Sequence, residues 1–63
     1  MKIILIKDII FEEDSCFEFT LRTGCYLESD EPYQGLNEDN TFTVCQGMSM
    51  YYTIPEEYFK VIN

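Results

Sequence analysis

The chain has 63 residues, enough for one small domain with a thin core. Its hydrophobic content of 46%, with five Phe and five Tyr, excludes a disordered segment. Twelve acidic residues against four basic ones give a net charge of -8. That charge disfavours phosphate backbones and anionic membranes as partners and makes a basic protein surface the natural complement.

β-branched and aromatic residues fill the apolar positions and alanine is absent, a composition that favours strands. A first strand is expected over residues 2–11, with Asp8 marking a bend, and Glu12-Glu13-Asp14-Ser15 reads as a polar turn. Residues 16–22 alternate, with Phe17, Phe19 and Leu21 on one side and Glu18, Thr20 and Arg22 on the other, the pattern of a half-buried strand. Thr23-Gly24 punctuates the chain before a short strand over 25–28. Residues 29–40 then form the longest loop, polar and without helical period, with Pro32 and Gly35 inside it. Phe42 and Val44 share one face of the next strand, Gln46-Gly47 reads as a hairpin turn, and Met48, Met50, Tyr52 and Ile54 share one side of the returning strand. Pro55, Glu56 and Glu57 suit a single 3₁₀ turn, since proline fits a first helical position and acids favour an N-terminus. A last short strand is expected over 59–62.

The three cysteines, Cys16, Cys25 and Cys45, include no C-x-x-C pair, and there is no histidine. Zinc sites of the Cys/His type and histidine-activated thiols are therefore not expected, and an odd cysteine count argues against a closed disulfide framework. Asp30, Glu31, Glu38 and Asp39 are oxygen ligands of the kind hard cations take, but their spacing matches no EF-hand loop, so neither a metal nor any other cofactor is expected. Glu12 and Glu13 are paired carboxylates without the surrounding mass that makes a pocket, and the reading is that of a non-enzyme. The apolar run 3–6 is too short for a signal-peptide core or a membrane span, so a cytoplasmic protein is expected, in the cytoplasm of a host cell if viral.

The tail Ile54-Pro55-Glu56-Glu57-Tyr58-Phe59-Lys60-Val61-Ile62 resembles the end of SH3 domains, where a strand runs into a proline, a 3₁₀ turn, a tyrosine and a last apolar strand. Leu21-Arg22-Thr23-Gly24-Cys25-Tyr26-Leu27-Glu28 resembles the turn whose glycine precedes the second SH3 strand, and Leu5-Ile6-Lys7-Asp8-Ile9 sits where that family has its opening aromatic motif. The resemblance spans nearly the whole chain in order and spacing. It implies one all-β domain over residues 1–63, a small five-stranded SH3-like barrel with one 3₁₀ turn near residues 55–58. The family's groove for proline-rich peptides is not implied. Lys7 and Ile9 stand where tyrosines would be, there is no tryptophan, and only Pro55 and Tyr58 match the groove residues.

In such a barrel both long loops and the 3₁₀ turn border one face. Those segments carry Glu12, Glu13 and Asp14, then Glu28, Asp30, Glu31, Glu38 and Asp39, then Glu56 and Glu57. The expected partner-binding residues are these acids of the polar turn, the long loop and the 3₁₀ turn, with Tyr33 and Tyr58 as anchors that join apolar area to a hydrogen-bonding tip. Tyr26 and Tyr51 are further anchor candidates, whereas Tyr52 shares parity with Met50 and Ile54 and is expected in the core. The leading expectation is a small inhibitor or adaptor that covers a basic surface, such as a nucleic-acid-binding site, with carboxylates standing where phosphates would. In style it resembles small acidic accessory proteins of bacteriophages. The competing expectation is an assembly module that forms a homo-oligomer through residues 3–10, which are apolar on both faces.

Overall fold

In the computed structural model the described residues are 1–13, 17–47 and 50–62, with only the backbone of Glu13 and Phe17. They form eight strands and one 3₁₀ turn, an all-β chain as the composition implies. The strands are β1 (Lys2–Leu5), β2 (Ile9–Glu13), β3 (Phe17–Leu21), β4 (Tyr26–Glu28), β5 (Gly35–Leu36), β6 (Phe42–Gly47), β7 (Met50–Ile54) and β8 (Phe59–Val61), and the 3₁₀ turn is Glu56–Tyr58. The strands make three small antiparallel sheets, ordered β4-β1-β8, β2-β3 and β5-β6-β7. No helix among the described residues is long and apolar enough to cross a membrane.

Period-two patterning puts one row of each strand inward. Ile3 and Leu5 of β1 are buried, as are Phe42 and Val44 of β6, Leu21 at the end of β3, Ile54 at the end of β7 and Phe59 at the start of β8. All three sheets thus contribute to one core. Tyr52 joins it in an aromatic stack with Phe11 and Phe19, at ring-centroid distances of 4.8 and 5.5 Å, which lays the β2-β3 hairpin against β7. Phe42 and Phe59 meet edge to face at 6.0 Å.

Several expectations change. The first strand is broken into β1 and β2 by a bend at residues 6–8. Here the Ile6 amide donates to the Tyr58 carbonyl at 2.8 Å, one step beyond Leu5–Phe59 in the same register, and the chain bends past that bond. Glu12 and Glu13 are the last residues of β2, paired with Glu18 and Phe17, and not loop residues; Glu28 likewise ends β4. Asp14, with the rest of the predicted turn, lies outside the described residues. The long loop contains an extra strand, β5, and an isolated bridge between Asp30 and Gln34. Gln46 and Gly47 belong to β6, with Gly47 at φ +97° paired to Met50, and are not the turn residues predicted, while Met48 of the predicted returning strand lies outside the described residues.

The three sheets do not close into a barrel. β4 is three residues long and ends where the chain folds over at Asp30, so the partner of β6 is supplied by the separate two-residue β5. The 3₁₀ turn after Pro55 is present as predicted.

The bend and the turn before β4 are tied together. Asp8 Oδ1 accepts from the Thr23 amide at 2.6 Å and from its hydroxyl at 2.9 Å, and the Arg22 guanidinium stands 4.0 Å from the other oxygen. Gly24, at φ +93°, makes the turn and donates its amide to the Leu5 carbonyl at 2.8 Å. A matching clasp closes residues 37–41, where Asp39 Oδ1 accepts from the Thr41 hydroxyl and amide at 2.6 and 3.1 Å. The Thr23 bonds hold the Asp8 carboxyl below its ordinary value, with Arg22 adding to them, and the Thr41 bonds do the same for Asp39.

A folded-state pKa that is depressed contributes stability above the unfolded value of 3.8, and that contribution is lost as pH falls through the lower folded value. Thermal midpoints measured from neutral pH downward should therefore separate wild type from the Asp8→Ala/Asp39→Ala variant above about pH 4 and converge below it. A gap that persists unchanged in acid would show that the carboxylates act in some other way.

Candidate functional site

Every described acidic side chain is exposed, so none is neutralised by burial. The four cations account for few of them. Lys2 Nζ lies 3.5 Å from Glu28 Oε1 and 5.7 Å from the centre of the Tyr26 ring. Arg22 faces Asp8, and Lys7 stands 5.5 Å over the Tyr58 ring. These are the ion pairs and cation–π contacts among the described residues. Glu12, Glu18, Asp30, Glu31, Glu38, Glu56 and Glu57 have no basic side chain within ion-pairing distance there.

The predicted residues fall into three places. The first is the outward face of the β2-β3 hairpin. Register sets Glu12 directly opposite Glu18, beside exposed Ile10 and opposite Thr20, while Phe11 and Phe19 take the inward face. Cross-strand neighbours of like charge are destabilising, so this pair is a charge concentration that the hairpin tolerates at a cost. Glu18 was not among the predicted site residues. Its alternation with Phe17 and Phe19 marked it as outward, but only the pairing register shows that it meets Glu12.

The second place is the segment from Glu28 to Thr43, which carries Asp30, Glu31, Tyr33, Glu38 and Asp39. Gln34 fastens this segment to the sheet, donating to the Glu28 carbonyl at 2.7 Å and accepting from the Cys45 amide at 3.0 Å. Asn37 donates to both Thr41 and Thr43 hydroxyls at 2.9 Å. The result is a half-open groove of about 210 Å³ lined by Glu31, Pro32, Tyr33, Leu36, Thr43 and Tyr51 among others. It is smaller than the clefts that enclose a drug-sized ligand or cofactor. Tyr33 is 56% exposed and Tyr51 47%. Among the described residues, no three of His, Cys, Asp or Glu converge as a metal cluster, so Asp30, Glu31, Glu38 and Asp39 do not form one.

The third place is the 3₁₀ turn. Glu56 and Glu57 occupy its first positions and are exposed, and Tyr58 is half-buried beneath Lys7. Lys7 covers the one tyrosine that matched the SH3 groove pattern. Of the further anchor candidates, Tyr26 is 61% exposed but already carries Lys2. Tyr51 is open, as its parity opposite to Tyr52 implies.

The chain matches no family model, no curated protein and no solved structure.

The cost of the hairpin charge pair is measurable. Glu12→Lys turns a like-charge cross-strand pair into an opposite-charge one and should raise stability by about 0.2–1 kcal/mol in urea unfolding at low salt, with the gain shrinking as salt is added. A loss of stability would mean that Glu12 and Glu18 do not face each other in solution.

Proposed function

We propose that this chain is a small acidic protein-binding module, an inhibitor or adaptor that covers a basic surface of a partner protein. The observation that carries this reading is the set of exposed carboxylates without cationic partners, at the hairpin face, along residues 30–39 and at the 3₁₀ turn. Unpaired surface charge of one sign steers an oppositely charged partner and adds to its rate of association. A partner surface built for nucleic acid offers lysines and arginines spaced for phosphates, and carboxylates on a rigid sheet are suited to meet them. The reading needs neither catalysis nor a cofactor, and direct contact with nucleic acid runs against the charge.

The fold that presents these acids is, in this reading, an opened variant of the SH3-like arrangement. The order of elements supports it: a first strand, a long hairpin, a strand, a long loop, a second hairpin, a 3₁₀ turn and a last strand antiparallel to the first. Cytoplasmic residence, and origin as an accessory protein of a bacteriophage, belong to the same proposal and rest on composition and style alone.

The test is capture with the immobilised chain. Proteins retained at low salt and identified by mass spectrometry should be basic, should elute as salt rises over about 0.05–0.5 M, and should lose affinity for DNA or RNA when the chain is added. Retention only of neutral or acidic proteins, insensitive to salt, would overturn the reading.

A second reading, self-assembly, has one observation in its favour. β1 is paired on both edges, so strand addition there is closed, but β8 pairs with β1 alone and carries exposed Val61 next to exposed Ile62. On this reading the mass in sedimentation and the melting temperature rise with concentration, and Val61→Lys abolishes both trends. A monomer at all concentrations removes it.

A further inference from the structure

The five tyrosines divide by what covers their rings. Tyr52 packs against both Phe11 and Phe19, which also contact each other, at the core. Tyr26 has the Lys2 ammonium over its face, and the same ammonium reaches the Glu28 carboxylate. Tyr58 has Lys7 over its face. Tyr33 and Tyr51 remain exposed, with no cation on them among the described residues, and both line the groove whose wall also holds the exposed Glu31 carboxylate. The chain therefore contains a filled tyrosine–carboxylate cation site at Lys2 and a second set of the same groups without a cation.

The backbone of the groove is tied down by Gln34. Gly35 is buried and the Glu31 carboxylate lies close over it, so that a Cβ there would stand 2.9 Å from Glu31 Oε1, a contact the exposed Glu31 side chain relieves by moving aside. The Gln34 bonds to the Glu28 carbonyl and the Cys45 amide fix the turn that carries Pro32 and Tyr33. Leu36 and Pro32 give the walls an apolar part, which suits the methylene stem of a long basic side chain. Among the described residues no Lys or Arg lines the groove.

We infer that the groove between Tyr33 and Tyr51 receives a lysine or arginine side chain of a basic partner protein, with its cationic head on the tyrosine rings and beside the Glu31 carboxylate. A cation over a tyrosine face is held by the ring quadrupole, and the nearby carboxylate adds charge pairing. A volume of about 210 Å³ accommodates one such side chain and little more. This rests on the proposed acidic protein-binding function and gives it an anchor point, which general surface charge does not supply.

The test is a titration of the isotope-labelled chain with acetylated tetra-arginine amide, tetra-lysine amide and the neutral tetra-citrulline amide, followed by amide chemical shifts. Saturable shifts centred on Tyr33, Gly35, Leu36, Thr43 and Tyr51 are expected with the two cationic peptides, and binding about tenfold weaker with citrulline. Y33A/Y51A keeps the net charge and alters only exposed residues, and it should bind about tenfold more weakly. Y33F/Y51F, which keeps the ring faces, should bind like wild type, and its melting curve together with that of Y33A/Y51A checks that both remain folded.

Equal binding by Y33A/Y51A, with shifts spread over other acids, would overturn the groove as anchor and leave the charge-driven module standing. Equal binding of citrulline would overturn the cationic occupant. Absence of saturable shifts with every peptide would overturn the groove, while capture of basic proteins in the salt experiment would still decide the broader reading separately.

Discussion

β1 is the strand on which the rest is assembled. It is hydrogen-bonded on one edge to β4 and on the other to β8, and its inward residues, Ile3 and Leu5, are almost wholly excluded from solvent. Just past its end the Ile6 amide is taken by Tyr58, and its last carbonyl, Leu5, is taken by Gly24. Both partners come from turns distant in sequence, so the N-terminal strand fixes the 3₁₀ turn and the turn before β4 at once. Past these bonds the chain bends, β2 and β3 leave the sheet as a pair of their own, and the cluster of Phe11, Phe19 and Tyr52 packs that pair onto β7. A domain this small has few buried side chains from which to draw stability, which makes each such closure count.

Much of this was legible because alternation is a local signal. The inward rows Phe42 with Val44 and Tyr52 with Ile54 could be read directly, and so could the 3₁₀ turn, since proline followed by two acids has few other backbone solutions. β5 escaped because two residues, one of them Gly35, carry no periodicity; they become a strand only because β6 offers its edge. The unclosed sheets escaped for a related reason. Closure depends on how far pairing continues past Glu28, and the Asp30–Gln34 bridge that ends it is a contact within a loop, invisible to hydrophobic pattern. Charge alone marks Glu12 and Glu13 as turn residues, whereas cross-strand partners keep the ladder going to the end of β2.

The site divides in the same way. Tyr33 was legible as exposed from its place beside Pro32 in a polar stretch, and Tyr51 from its parity against Tyr52. That the two face one groove depends on the turn that Gln34 pins across β6, through the amide of Cys45, eleven residues away. Lys7 over Tyr58 was equally hidden, because residue 7 meets residue 58 through the β1–β8 register that the Ile6–Tyr58 backbone bond continues. That contact alters what the SH3 resemblance means. The matching tyrosine is kept, but it serves as the seat of an internal cation and not as an open wall.

Solubility alone would be served by acids spaced apart, each near a base or well into water. The arrangement here departs from that. Glu12 and Glu18 are set across from one another where a single lysine would relieve them, and the Lys2 ammonium instead reinforces Glu28, which ends the core-bearing sheet. With four bases in the chain, and three of them engaged at Tyr26 and Glu28, at Asp8 and at Tyr58, the hairpin face and residues 30–39 are left to their own charge. Such charge can be screened by salt or met by a partner. On the proposed reading, that division between internally satisfied and unsatisfied aromatic–carboxylate groups separates the part of the surface that stabilises the domain from the part that binds.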